Sequence, residues 1–282
     1  MSLPSLPSGQ LRWTGADGQY WARQHERLDA THAPVTGPLL DFAAPAPGST
    51  VVDIGCGCGA TTLELARAVG PTGRVVGIDI SEPMLEVARE RLMAFPNAAF
   101  INGDAASLPL ADLRAELIFS RFGVMFFADP VAAFTNLRTA LVPGGRIRFA
   151  CWRSMGENPW LHVPLQAVEE HVPRPPRRDP DEPGPFAFAD PIRVARILTA
   201  AGFTEPSFTP LNVELDIAAE GTFEDAVAQA SGMGPASRLL ADQPPEVHDA
   251  AIGSIRRALR HYASAEGVKL PAAVWLVATC QP

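Results

Sequence analysis

From residue 50 onward, short apolar runs alternate with segments whose apolar residues recur at helical spacing. STVVDIG and RVVGID read as strands. Between them, ATTLELARAVG carries Leu63, Ala66 and Val69 on one face, with Gly70 as its stop. SEPMLEVARERLMAF predicts a further helix, with Ser81 as N-cap and Pro83 in the first turn. AAFINGD supplies a third strand, ELIFSRFGVMFF a fourth ending near Ser120, and GRIRFACW a fifth, preceded by the helix and Pro-Gly-Gly turn of DPVAAFTNLRTALVPGG. Such alternation implies βαβ units, and hence an α/β fold with a mostly parallel sheet and helices on both faces.

Regularity falls away on either side. Residues 1–47 predict an N-terminal helical cap whose helices are broken by Pro34, Pro38 and Pro45. After Trp152, ENPWLHVPLQAVEEHV reads as helix, VPRPPRRDPDEPGP as a proline-rich loop and DPIRVARILTAAGF as helix. A strand within SFTPLNVELDI, two helices around QPPE and a closing strand, AAVWLVATC, complete the chain. The expected division is a cap at 1–47, a ligand-binding core at 48–152, and a remainder at 153–282 that finishes the sheet. Insertions at 153–190 and 217–268 would cover the ligand end of the sheet.

Composition narrows the partners. The formal charge is −8, and Lys269 is the single lysine among 23 basic residues. An acidic chain of this kind has no counterion-release footprint for nucleic acid. Its basic cluster, Arg174, Arg177 and Arg178, is answered by Asp179, Asp181 and Glu182 and reads as a solvated loop. The start, MSLPSLPSGQL, has no basic n-region, and the longest apolar run is about ten residues, so neither a signal peptide nor membrane insertion is expected. The expected location is cytoplasmic, and a homodimer is left open.

The chemistry concentrates at VVDIGCGCG. Glycines between a first strand and first helix let a ligand approach the backbone closely. Gly55, Gly57 and Gly59 are spaced G-x-G-x-G, whereas the dinucleotide fingerprint requires G-x-G-x-x-G. Asp53, two residues before the loop, would repel a pyrophosphate but suits a cationic ligand. Asp79 ends the second strand, where a carboxylate can accept from ribose hydroxyls, and Asp104 follows the third, where it could receive an adenine amino group. Parallel strands bring all three carboxylates to one edge of the sheet. The ligand implied is adenosine-bearing, phosphate-free and cationic. Cys56 and Cys58 lack the partners a tetrahedral metal site needs, so no metal is expected.

DIGCGCGATTLELA, VVGIDIS, GDAASLP and the LVPGG turn, in this order and spacing, resemble the class I S-adenosylmethionine-dependent methyltransferases, specifically the small-molecule branch that includes the ubiquinone/menaquinone C-methyltransferases. The resemblance covers roughly 48–152. It implies a Rossmann-like, seven-stranded, mostly parallel sheet whose last strand is antiparallel, with S-adenosyl-L-methionine as cofactor and S-adenosyl-L-homocysteine as product. It also implies that Gly55, Cys56, Gly57 and Gly59 line the methionine part and that Asp79, with Ile80 and Met84 nearby, holds the ribose. Gly103, Asp104 and Ala105 would meet the adenine, with Ser120, Arg121 and Phe122 beneath the sulfonium and Tyr20 closing over the methionine end.

Methyl transfer by in-line displacement needs positioning, which can supply roughly 7–11 kcal/mol, and a base only when the acceptor must lose a proton. His25, His32 and His162 fall in candidate lids; His25 and His162, with Arg121, are the catalytic candidates, against structural roles for each. Phe122, Phe126, Phe127, Trp152 and Trp160 could form a pocket for an aromatic or apolar metabolite, or simply pack in the core. Two other readings stay open at this point: a non-catalytic S-adenosylmethionine-binding protein, and an NAD(P)- or flavin-dependent oxidoreductase.

Overall fold

In a computed structural model, residues 13–173, 182–219 and 221–282 are described. The proline-rich segment read as a solvated loop, with its Arg174, Arg177 and Arg178, lies outside these residues for the most part, as does the start of the N-terminal cap.

The alternating pattern forms β1 (Thr50–Ile54), α3 (Ala60–Val69), β2 (Arg74–Asp79), α4 (Glu82–Arg91), β3 (Ala98–Asn102), β4 (Ala115–Arg121), α5 (Pro130–Thr139) and β5 (Leu141–Trp152). Helix α1 (Ala16–Arg23) and α2 (His25–Ala43) precede them. After them come α6 (Pro159–Glu169), α7 (Pro191–Ala200), β6 (Ser207–Asp216), α8 (Phe223–Gly232), α9 (Gly234–Leu240), α10 (Pro245–Leu259), the two-residue β7 (Ala263–Ser264) and β8 (Gly267–Cys280).

The sheet runs β3-β2-β1-β4-β5-β8-β6, with β7 appended to β8. Strands β1 to β5 pair in parallel, while β8 is antiparallel to both β5 and β6. This is the seven-stranded, mostly parallel Rossmann-like sheet with an antiparallel last strand that was expected, with the short β7 added. Val51, Val52, Leu117, Ile118 and Phe119 are wholly buried, as strands covered by helices on both faces must be. The chain leaves β1 toward β2 in one direction and later returns at β4 on the other side. That reversal opens a crevice at the carboxyl ends of β1 and β4, where ligands of open α/β sheets bind.

Three local expectations differ from the structure. Helix α2 passes unbroken through Pro34 and Pro38. The lost hydrogen bonds are outweighed by a buried face of Leu28, Val35, Leu39 and Ala43, and the Thr36 hydroxyl donates to the His32 carbonyl one turn back (3.1 Å). The two helices expected around QPPE are three, because the chain is extended at Met233 and left-handed at Gly234 (φ 63), which breaks the first of them after Gly232. Strand β5 starts at Leu141: Ala115 pairs with Leu141 but Leu117 with Arg146, so the Pro-Gly-Gly turn bulges out of a continuing strand. Among the described residues, no helix is long and apolar enough to cross a membrane.

Candidate active site

A cavity of about 480 Å³ opens at the crevice between β1 and β4, under a cover made by α1, α2, α6, α8 and α9. The glycine turn forms one wall. Gly55 and Gly57 have φ of 67 and 54, in the left-handed region that glycine tolerates without steric cost. A Cβ on Gly55 would lie 2.7 Å from the Gly123 Cα, so the loops after β1 and β4 meet backbone to backbone. Ser120 ties them: its hydroxyl donates to the Ile54 carbonyl (2.7 Å) and accepts from the Gly123 amide (3.1 Å). Ser120 is therefore buried behind the wall rather than part of it, which departs from its expected place.

Asp79 lines the cavity at the end of β2. Its Oδ2 accepts the Gly57 amide (2.8 Å) and its Oδ1 the Ser81 amide (2.9 Å). The backbone bonds fix the rotamer and leave each oxygen a further lone-pair direction for a ligand hydroxyl. Burial raises the Asp79 pKa, against those same amides, which lower it. Asp104 also lines the cavity, oriented by the Ala106 amide on its Oδ1 (2.9 Å). Tyr20, His25, Cys56, Ile80, Met84, Gly103, Ala105, Arg121 and Phe122 share the same cavity wall.

Asp53 does not reach it. The carboxylate expected to face a cationic ligand is wholly buried, with Oδ2 accepting both the Thr61 and Thr62 hydroxyls (2.7 Å each) and Oδ1 without a partner. Its side chain points to the first turn of α3, so the helix start captures it. Burial pushes its pKa up to about 6, opposed by the two hydroxyls. Gly59 likewise lies outside the cavity. It caps α3 at φ 79, and a Cβ there would press at 3.0 Å on Ala88 of α4 and on Leu92 just past its end, so its role is helix packing. His162, on α6, is also outside the cavity lining.

Arg121 is held by protein. One guanidinium nitrogen donates to the Thr36 hydroxyl (2.5 Å) and another lies 3.6 Å from Asp29, which also pairs with Arg91 at 2.8 Å. This latch fastens α2 to the ends of β4 and α4. His25 bonds the Ala22 carbonyl through Nδ1 (2.9 Å).

The other half of the cavity is aromatic. Phe122, Phe126, Phe127, Trp152 and Trp160 all line it, so core packing and pocket lining are served by the same side chains. Phe122 adopts φ 67, a conformation that costs a bulky residue of order 1–3 kcal/mol, and stacks on Trp152 at 3.9 Å and 10°. His32, Trp13 and Trp21 complete the chamber, as do the 183–185 and 232–234 segments. His32 falls in an expected lid and Trp21 adjoins Tyr20, an expected contact, whereas nothing in the sequence singled out Trp13, or 183–185 within the expected cover. Cys56 and Cys58 are buried thiols whose pKa burial raises, Cys58 to about 12. Among the described residues, no group of three or more His, Cys, Asp or Glu could hold a metal ion.

Residues 51–145 match the family described as "Methyltransferase domain". Over 196 residues, 70% of this chain and 53% of the other, the protein is 32% identical to an uncharacterized 37.1 kDa protein in transposon TN4556 of Streptomyces fradiae. Over 100 residues, 36% of this chain and 42% of the other, it is 39% identical to a demethylmenaquinone methyltransferase of Staphylococcus aureus. The chain thus spans about half the length of these curated relatives. The fold is shared with phosphoethanolamine N-methyltransferase 2 of Haemonchus contortus, solved in complex with S-adenosyl-L-methionine: TM-score 0.58 at 15% identity, covering 99% of this chain and 61% of that one. Residues 51–145 thus match a methyltransferase domain, and the motif order of 48–152 stands on the strand order described above.

Proposed function

We propose that the protein moves a methyl group from S-adenosyl-L-methionine to a small, apolar or aromatic acceptor. One observation carries the reading: the glycine turn, Asp79 and Asp104 open onto the same cavity as the aromatic chamber. The donor set suits the cofactor. Gly55 and Gly57 present backbone where any side chain would collide, Asp79 offers fixed lone pairs at the ribose position, and Asp104 with Ala105 borders the adenine position. When bound, the cofactor supplies an electrophilic methyl group on a positively charged sulfur.

The residues' own work is positioning and exclusion of water. Asp79 would hold the ribose hydroxyls with its fixed carboxylate, and Tyr20 closes the cavity from α1, lying so near Gly232 that a Cβ there would be 2.8 Å from its hydroxyl. The Arg121–Asp29–Arg91 latch keeps α2 in place over the acceptor half. Phe122 and Trp152 hold a flat acceptor near the end of β4, where alignment rather than covalent help lowers the barrier. The net charge of −8 gives nucleic acid no footing, and a relative named for demethylmenaquinone agrees with a small-molecule acceptor. The test is incubation with methyl-tritiated S-adenosylmethionine and a panel of phenols, quinols and aromatic amines. Label extracted into an organic acceptor together with S-adenosylhomocysteine supports the reading. Cofactor binding with no transfer across the panel would point to a non-catalytic binding protein.

A further inference from the structure

The aromatic chamber contains one polar group that falls in a candidate lid but not among the catalytic candidates. His32, on α2, is 2% exposed and lies between four rings: Trp21 (centroids 5.8 Å apart, stacked at 28°), Phe122 (5.8 Å), Trp160 (5.9 Å) and Trp152 (6.1 Å). Its Nδ1 is 2.6 Å from the Leu28 carbonyl oxygen. A carbonyl can only accept, so Nδ1 carries the proton and Nε2 presents a lone pair. Nε2 has no hydrogen-bond partner among the described residues, is not sealed off among the rings, and belongs to a side chain that lines the cavity. Burial, then the nearby Arg121 charge, lower the ring's pKa to about 3, so the imidazole is neutral and this tautomer persists at physiological pH.

An occupant that seals this acceptor from the cavity without giving it a hydrogen would leave it buried and unpaired, at a cost of order 1–3 kcal/mol. The charged side chains near it are already engaged. Arg121 is held by Asp29 and Thr36, Asp29 by Arg91, and Asp17 and Arg238 also have partners. The occupant of this half is therefore uncharged, flat enough to lie among the rings, and equipped with a hydrogen to donate.

We propose that His32 Nε2 selects the methyl acceptor: a neutral aromatic molecule whose hydroxyl or N–H donates to this nitrogen while its ring packs on Phe122, Trp152 and Trp160. The proposal rests on the methyltransferase reading for the name of the occupant but not for its chemistry. His32 acts here by binding and orientation, and a substrate lacking the donor is refused because Nε2 would then be buried unpaired.

The experiment is calorimetric titration with 2-naphthol, with 2-methoxynaphthalene, in which a methyl group replaces the donor hydrogen, and with naphthalene as a smaller control lacking the donor. Each is run in the presence and absence of S-adenosylhomocysteine. The wild-type protein binds 2-naphthol at least tenfold more tightly than either; weak binding of the ether alone would report steric exclusion and overturn the proposal. His32→Phe, which keeps ring packing and removes the acceptor atom, brings the affinities of 2-naphthol and its ether within a factor of two while S-adenosylhomocysteine affinity is unchanged. Equal affinities in the wild type, binding of neither at millimolar concentration, or an undiminished preference in His32→Phe would overturn the proposal, as would tighter binding of 2-naphthoate, which would make the site one for acids. The wild-type comparison needs no variant and so survives misfolding of His32→Phe. Failure of S-adenosylhomocysteine to bind would sink the methyltransferase reading, and the naphthol preference without it would still decide the role of His32.

Discussion

Replacing Asp53 by Asn probes the buried carboxylate behind the glycine turn. The amide oxygen can keep both bonds from Thr61 and Thr62, so the change removes one titratable charge with little change of shape. In the folded protein the Asp53 pKa is raised from 3.8 to about 6. A carboxylate whose folded pKa exceeds its unfolded one binds its proton more tightly when native. Its penalty is full above pH 6 and is relieved as pH falls from 6 toward 3.8. Between pH 8 and pH 5 the relief is about 1.4 kcal/mol, from the difference in proton binding of the two states. His32 acts in the opposite direction over part of that window, since an imidazole kept neutral loses stability as pH falls below about 6.5. It is present in both proteins and cancels in their difference. Urea unfolding of wild type and Asp53→Asn at pH 8, 7, 6 and 5, without ligand, should show the wild type gaining about 1.4 kcal/mol relative to the variant between the extremes. A difference constant to within about 0.3 kcal/mol, or one that moves the other way, would refute the claim that Asp53 is desolvated with an unpartnered oxygen.

Three substitutions test the architecture around the site. Gly55→Ala and Gly144→Ala both put a Cβ at a similar positive φ, 67 and 74, but only the first meets another backbone, 2.7 Å from Gly123 Cα, while the second meets nothing within 4 Å. Gly144→Ala should cost about 1–2 kcal/mol in urea unfolding and leave cofactor affinity intact. Gly55→Ala should cost at least about 1 kcal/mol more and abolish that affinity; equal costs would remove the argument for close approach. Asn158 joins the cover to β8, accepting from the Ala273 amide (3.0 Å) and Trp160 Nε1 (3.2 Å) while donating to the Ala273 carbonyl. Asn158→Ala leaves two buried donors unpaired and should cost about 3 kcal/mol by urea unfolding, with under about 1 kcal/mol contradicting this account.

Much of the binding half was legible because parallel strands bring their ends to one edge. Asp79, Asp104 and the turn at Gly55 and Gly57 follow from the strand pattern and the glycine spacing alone. Asp53 was misplaced because β1 is buried on both faces, so its sequence has no polar alternation to say which way a side chain points. Pro34 and Pro38 read as breaks because propensity is local, whereas the burial of Leu28, Val35 and Leu39 that overrides it is tertiary. His32 was passed over for a similar reason. Its meaning lies in Trp21, Phe122, Trp152 and Trp160, which sit on four separate segments and meet only in the folded chain.

The central claim is that the cavity is built for an adenosine-bearing sulfonium, and calorimetric titration with S-adenosylmethionine and S-adenosylhomocysteine, with NAD as control, tests it most directly. Both should bind in the micromolar range and NAD should not. Asp79→Ala, shown to be folded by circular dichroism, should weaken both by about a hundredfold, since hydrogen bonds to a carboxylate are worth roughly 1.5–3 kcal/mol each. Tight NAD binding, or no binding of any of the three by the folded wild-type protein, would contradict the account.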